Sequence, residues 1–324
     1  MIEVKNLVKR YGKHEVLCGI SLNVKAGEIC AVAGIEGAGK TTLADLIAGS
    51  IEPDAGEIRL CGVDMAEEAS SARQHVGYAA AKPALYTDMT PRAGMKFVAE
   101  ARGMSARETG DKISAIIKKF GIKDISDTVV FNLSEGARRM VSIAQASFTG
   151  AEVIVVDEPT AGLNPKEIIE VRDALAKLRE HHAVLLMSRN LTEMCALADR
   201  VLVLHEGHIV AEGAANELHR LSMDDGTLRI KVRGAKQTVL DAMKGVQGAQ
   251  IVESGEVNGL VEVVLSANGD DVREKVFRAV CEKGLVLLDM KAGTKSMDDV
   301  LMQLVSEKTV YDDGKGAEGD VGSL

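Results

Sequence analysis

Gly34-Ile-Glu-Gly-Ala-Gly-Lys-Thr-Thr42 is the stretch that decides how this chain folds. It satisfies the phosphate-loop pattern, with Gly34 and Gly39 bounding the turn and Lys40 and Thr41 directly after it. A polyphosphate needs several backbone N–H groups converging on one point, so side chains must be absent where the backbone wraps it. Lys40 then adds a point charge near the outer phosphates, and the Thr41 hydroxyl is placed to ligate Mg²⁺. The candidate nucleotide contacts are therefore Gly34, Ile35, Glu36, Gly37, Ala38, Gly39, Lys40, Thr41 and Thr42. The flanks agree: 28–33 reads as a short buried strand, and 42–49 has helical spacing that stops at a glycine.

Composition narrows the classes that remain. At 324 residues the chain is long enough for one large core and a smaller domain. A net charge of −9 lacks the basic footprint of a nucleic-acid binder, so no nucleic-acid partner is expected. The five cysteines are far apart and lack metal-type spacing, which reads as reduced thiols. His205 and His208 flank an expected turn at Glu206-Gly207 and read as surface residues. The apolar runs 153–156 and 183–187 are strand-sized, far short of the roughly 20 residues of a spanning helix. The first residues alternate like a strand and carry no signal-peptide core, so contact with a membrane is expected only through a partner.

Two further motifs follow in order. In Asn132-Leu-Ser-Glu-Gly-Ala-Arg-Arg139, Ser134 is placed as a helix N-cap and Gly136 permits close backbone approach. Val153-Ile-Val-Val-Asp-Glu-Pro-Thr160 is a buried strand delivering Asp157 and Glu158 at its C-terminal end. In such a pair the aspartate helps to hold Mg²⁺, and the glutamate can polarise an attacking water.

Loop, capped helix and carboxylate-ended strand together resemble the nucleotide-binding domain of ATP-binding cassette (ABC) transporters, over about 1–221. The resemblance implies a P-loop α/β core with a helical subdomain near 88–150, binding ATP and Mg²⁺. It is similar above all to single-cassette subunits of bacterial exporters, acting at the cytoplasmic face of the cell membrane. Tyr11 stands where the family stacks an aromatic on adenine. The segment 76–86 resembles the family's Q-loop, 159–165 its D-loop and 186–191 its switch loop. The resemblance also implies two partners, a transmembrane permease subunit and a second cassette, homologous or identical, facing this one head to tail. Each ATP would lie between one phosphate loop and the opposite Ser134 and Gly136.

The departures from the family pattern are confined to these loops. Ala81 replaces the Q-loop Gln or Glu, Asn164 the D-loop aspartate, Arg189 the switch-loop histidine, Ala137 the signature glutamine and Met140 an arginine. With Glu158, Lys40 and Arg189 as the catalytic candidates and Thr41 and Asp157 as metal ligands, binding is expected to be intact and turnover slowed. Arg189 leaves two outcomes open, since a guanidinium can stabilise transition-state charge or hold the ground state.

Between these motifs, 90–127 is helical in pattern, with Ile113, Ile116, Ile117 and Phe120 on one face and Gly121 as the stop. Leu85-Tyr86 before it is the expected permease contact. After a linker at 221–226, residues 227–310 read as strand, helix, paired strands, helix, strand and a last helix at 297–305, a small ferredoxin-like α+β module. Val272, Val276, Phe277, Val280 and Cys281 are expected to line its second helix, and 311–324 reads as a disordered tail. The domain boundaries expected are 1–222 and 227–310. Three functions compete: an energising exporter subunit, a catalytically weak nucleotide-binding partner in a heterodimeric complex, and a soluble cassette in translation or DNA maintenance. The third usually carries two cassettes or a long coiled coil, which this sequence lacks.

Overall fold

A computed structural model describes residues 1–148, 150–218, 227–257, 259–267, 271–293 and 300. The chain forms two compact units, Met1–Asn216 and Glu217–Val300.

In the first unit, alternation along β1 (Ile2–Tyr11) buries Ile2, Val4 and Leu7, and β2 (His14–Val24) pairs with it antiparallel. β3 (Ile29–Ala33) is buried along its whole length, as an unbroken apolar run demands when both sheet faces are covered. The helix expected at 42–49 begins earlier, as α1 (Lys40–Ile47), because Gly39 at φ 104° turns the loop directly into it. β4 (Ala55–Leu60), β5 (Val63–Asp64), α2 (Ala69–Ala72) and β6 (Val76–Ala79) follow. The helical stretch expected at 90–127 divides into α3 (Pro91–Ala101) and α4 (Ala106–Phe120). The break is local chemistry: Thr90 and Ser105 each cap a helix N-terminus, accepting from Ala93 and Glu108 N–H groups. Ile113, Ile117 and Phe120 are buried, Ile116 is half-buried, and Gly121 in the left-handed region ends α4.

The unit closes with α5 (Glu135–Phe148), β7 (Val153–Asp157), α6 (Pro165–Ala176), β8 (Ala183–Ser188), α7 (Leu191–Leu197), β9 (Arg200–His205) and β10 (His208–Ala214). One sheet has the order β2-β1-β4-β5 and is antiparallel. The other runs β10-β9-β3-β8-β7-β6, parallel except for β10. A single apolar cluster joins the two sheets to α1, with Ile2 and Leu7 from one, Val32, Val155 and Leu185 from the other, and Leu43 from the helix. Because β3, β8 and β7 are adjacent and parallel, the phosphate loop, Ser188 and Asp157 all emerge at one sheet edge. Ligands of open α/β sheets bind at the carboxyl ends of the strands for this reason.

His182, just before β8, is buried, and its Nδ1 lies 2.9 Å from the Leu178 carbonyl, to which it donates as a neutral ring. Burial pulls its pKa below the ordinary 6.5. The unfolded chain therefore takes up this proton before the folded one does, so stability is full above 6.5 and falls as pH drops below it. The urea midpoint is expected to fall between about pH 7.5 and about pH 5.5, and His182→Gln is expected to flatten that part of the profile.

The second unit contains β11 (Thr227–Arg233), a helix at Lys236–Lys244, β12 (Gln250–Val257), β13 (Leu260–Ser266), a helix at Arg273–Glu282 and β14 (Val286–Ala292). Its antiparallel sheet has the order β12-β13-β11-β14, the ferredoxin-like arrangement. Leu228, Ile230 and Val232 alternate into its core and meet Val239, Met243, Val276 and Val280. Two expected core positions are corrected. Phe277 is 52% exposed and Cys281 is exposed. The helix packs along a narrow seam of Val272, Val276 and Val280, and each of these two residues is rotated about 100° away from it. The expected linker, last helix and tail lie outside the described residues, except Val300.

Candidate nucleotide-binding site

The phosphate loop is built by exclusion. A Cβ on Gly34 would lie 2.3 Å from the Leu204 carbonyl oxygen. One on Gly39 would lie 2.8 Å from Leu17 Cδ2, at a φ of +104° that other residues rarely adopt. The loop opens on a cavity of about 420 Å³ walled by Val16, Glu36, Gly37, Ala38, Gly39, Lys40, Thr41, Thr42, Glu158 and Arg189. Lys40 is only 7% exposed, and its Nζ donates to the carbonyls of Gly34 at 2.8 Å and Ile35 at 3.0 Å. Burial lowers its pKa, while Glu158 and Asp157 act the other way. A cation so desolvated gains from an entering anion more than an exposed lysine does.

Thr41 Oγ1 donates to Asp157 Oδ2 at 2.8 Å. The second carboxylate oxygen, Oδ1, is buried and has no hydrogen-bond partner among the described residues, and burial raises the Asp157 pKa. A hydroxyl beside an orphaned carboxylate oxygen is a hard-oxygen donor set, and it fits a divalent cation such as Mg²⁺.

Glu158 follows β7 at φ 45°, a strained conformation for a residue with a side chain. Its N–H donates to the Met187 carbonyl at 2.8 Å, which fixes the bend. Three groups then orient the carboxylate. Ser188 Oγ donates to Oε2 at 3.2 Å, the Arg189 N–H donates to Oε1 at 3.1 Å, and the Arg189 guanidinium stands 3.7 Å from Oε1. The same guanidinium donates to Glu36 Oε2 at 3.3 Å. Arg189 thus spans the cavity mouth from the carboxylate-ended strand to the phosphate loop.

The remaining site candidates lie elsewhere. Tyr11 ends β1, is 53% exposed and has Lys9 Nζ 5.7 Å from its ring centroid, and it is not part of the cavity wall. Ser134 caps α5, accepting from the Ala137 N–H at 3.2 Å, and lines a different cavity of about 410 Å³. Gly136 is buried on α5. Asn164, at the aspartate position, keeps the capping function, since its Oδ1 accepts from the Lys166 and Glu167 N–H groups. Near Ala81, the Ala80 carbonyl accepts from Arg139 Nη1 at 3.0 Å. Buried Arg139 links α5 to the loop after β6, and its pKa is lowered by burial. Val16 and Ser188 are functional neighbours without a motif. Only the position of Ser188, at the end of a buried strand and beside Arg189, hinted at its role.

The family model described as ABC transporter matches residues 17–161. The daunorubicin resistance ATP-binding protein DrrA3 of Streptomyces coeruleorubidus is 31% identical over 310 residues, covering 94% of this chain and 96% of that protein. The Nod factor export ATP-binding protein I of Burkholderia orbicola is 34% identical over 218 residues, covering 67% of this chain and 72% of its own length. A solved ATP-binding subunit of an ABC transporter superposes with a TM-score of 0.61 at 27% identity, over 68% of this chain and 92% of that one. With the phosphate loop, carboxylate pair and capped signature helix assembled on this sheet, the chain belongs to the ABC transporter family and is one of its ATP-binding ATPase cassettes.

Proposed function

We propose that this chain is the energising subunit of a membrane export complex, hydrolysing MgATP between two opposed cassettes. The convergence of Lys40, Thr41, Glu158 and Arg189 on one cavity carries the reading. Lys40 and the loop amides bind the phosphates, and Tyr11 offers its exposed ring to adenine. Thr41 Oγ1 and Asp157 Oδ1 hold Mg²⁺, which supplies charge neutralisation on the phosphate oxygens. Glu158, oriented by Ser188 and Arg189, accepts the proton of the attacking water. Ser134 and Gly136 serve the nucleotide of the opposing cassette. Export is supported by the relative named as a Nod factor export ATP-binding protein. Among the described residues no helix is long and apolar enough to cross a membrane. In the proposed complex the permease holds the chain peripherally, at the cytoplasmic face. The unit Met1–Asn216 acts as the ATPase domain and Glu217–Val300 as an accessory domain. Purified with its permease, the complex is expected to lose Mg²⁺-dependent ATPase activity in Asp157→Asn. Retention of that activity would overturn the site.

The permease is proposed to dock on an aromatic patch beside the Q-loop. Tyr86 and Phe97 meet edge to face at 5.1 Å, and Phe131 is 72% exposed. The Phe131 N–H donates to the Thr87 carbonyl at 2.9 Å, tying the two loops together. Expected for a Tyr86→Ala, Phe131→Ala double variant is about tenfold weaker permease retention on co-purification, with ATP binding by the isolated chain unaltered.

A second reading has one observation behind it. Arg189 is already shared between Glu158 and Glu36, so the catalytic carboxylate is partly neutralised before any phosphate arrives. On that reading the chain is the slow half of a heterodimer, and its partner cassette carries most of the turnover.

A further inference from the structure

We infer that Glu167 is a positioning residue of the signature helix, its carboxylate occupying the seat that the opposing nucleotide's terminal phosphate must take. The inference rests on the proposed role of Ser134 and Gly136 toward a second cassette. Glu167 is the third residue of α6, in its first turn, yet it reaches α5. Ser134 Oγ donates to Glu167 Oε1 at 3.0 Å. A Cβ on Gly136 would lie 2.4 Å from Glu167 Cδ and 2.6 Å from Oε1, so the carboxylate lies directly against the glycine. The other oxygen is held too, since the Asn164 N–H donates to Oε2 at 3.2 Å in a reciprocal capping box.

The arrangement explains itself by what the neighbours lack. Ala137 and Met140 line the adjoining cavity with Glu167, where glutamine and arginine are the family's residues. Neither side chain can donate a hydrogen bond, so among the described residues Ser134 donates to Oε1 while the Asn164 N–H holds Oε2. Ser134 has one hydroxyl proton and already accepts from Ala137, so it cannot donate to a phosphate and to Glu167 at once. Two anions cannot share the place without a large repulsive cost. An opposing nucleotide must therefore displace Glu167, which can release Oε1 while Oε2 stays on the capping box. The carboxylate raises the ATP concentration needed to close two cassettes.

The test uses the full chain in complex with its permease and measures the ATP concentration giving half-maximal ATPase. Glu167→Gln keeps the shape and the capping bonds but removes the charge. It is expected to lower half-saturating ATP about tenfold, the scale of one charge-assisted hydrogen bond exchanged. Glu167→Ala, which also loses the cap, is expected to melt at a lower temperature and still to lower half-saturating ATP. A purely structural residue would not produce that pairing. Ser134→Ala is expected to raise half-saturating ATP. If Ser134→Ala raises it while Glu167→Gln leaves it unchanged or higher, this inference falls and the opposed-cassette reading stands. If both variants leave it unchanged, the signature does not serve an opposing nucleotide and both readings fall.

Discussion

Glu158→Gln is expected to lower steady-state ATP hydrolysis by about 10²–10⁴-fold, the range of a lost general base, while ATP affinity holds within about threefold. The substitution is close to isosteric, and the local structure gives it little reason to rearrange. The backbone bend at Glu158 is fixed by its N–H to the Met187 carbonyl, not by the side chain. The Ser188 hydroxyl and the Arg189 N–H both point donors at the carboxylate, and an amide oxygen can accept one of them. What disappears is the negative charge and the basic lone pair. Retained binding with lost turnover is the signature of an interaction made in the transition state. The measurement is a steady-state rate beside an equilibrium titration on the same preparation. An unchanged rate would assign the chemistry to a partner cassette and favour the slow-half reading over the energising one.

Arg189→Ala separates those readings from the other side. Its exposed bridge to Glu36 contributes little stability, as solvent-screened ion pairs do. Its effect on rate therefore reports on the phosphate and on Glu158, and its sign tells whether the guanidinium helps or restrains hydrolysis.

The sheet that carries the site was legible because its strands obey simple rules. A short run of branched apolar residues ending in Asp157 and Glu158 reads as a buried strand, and β7 is buried at every position and pairs parallel with its neighbours. The second unit was legible for the opposite reason, since alternation at Leu228, Ile230 and Val232 fixes one face of β11. Where local chemistry competed with periodicity, the sequence misled. The apolar spacing of 90–127 ran through a break that Ser105 imposes by capping, and Phe277 shared the spacing of its helix without sharing the seam. The contacts around the site were hidden for a third reason. Ser188 and Glu167 act across 30 and 33 residues of chain on Glu158 and Ser134, and no local pattern records such a meeting. Arg189 was visible as a departure, but that it spans Glu158 and Glu36 required the fold.

Lys40→Ala is expected to weaken ATP binding by about 10–100-fold, the loss of a charge-assisted contact in a partly dry site, and to slow hydrolysis further. The apo protein has little reason to suffer. The buried ammonium is a desolvated cation whose pKa burial pulls down from 10.5, so removing it relieves a cost while leaving the Gly34 and Ile35 carbonyls without that donor. These effects oppose, and the apo melting temperature is expected to move by only a few degrees while the ATP-induced rise in melting temperature is largely lost. The pH dependence gives an independent check with a definite sign. ATP binds the protonated amine, so wild-type affinity falls as pH rises through the lowered pKa of the free protein, earlier than for a lysine in water at 10.5. Lys40→Ala has no proton to lose there, and its weaker binding is expected to stay level across the same alkaline range. A variant that kept the wild-type decline would place the titrating group elsewhere and remove Lys40 from the phosphates.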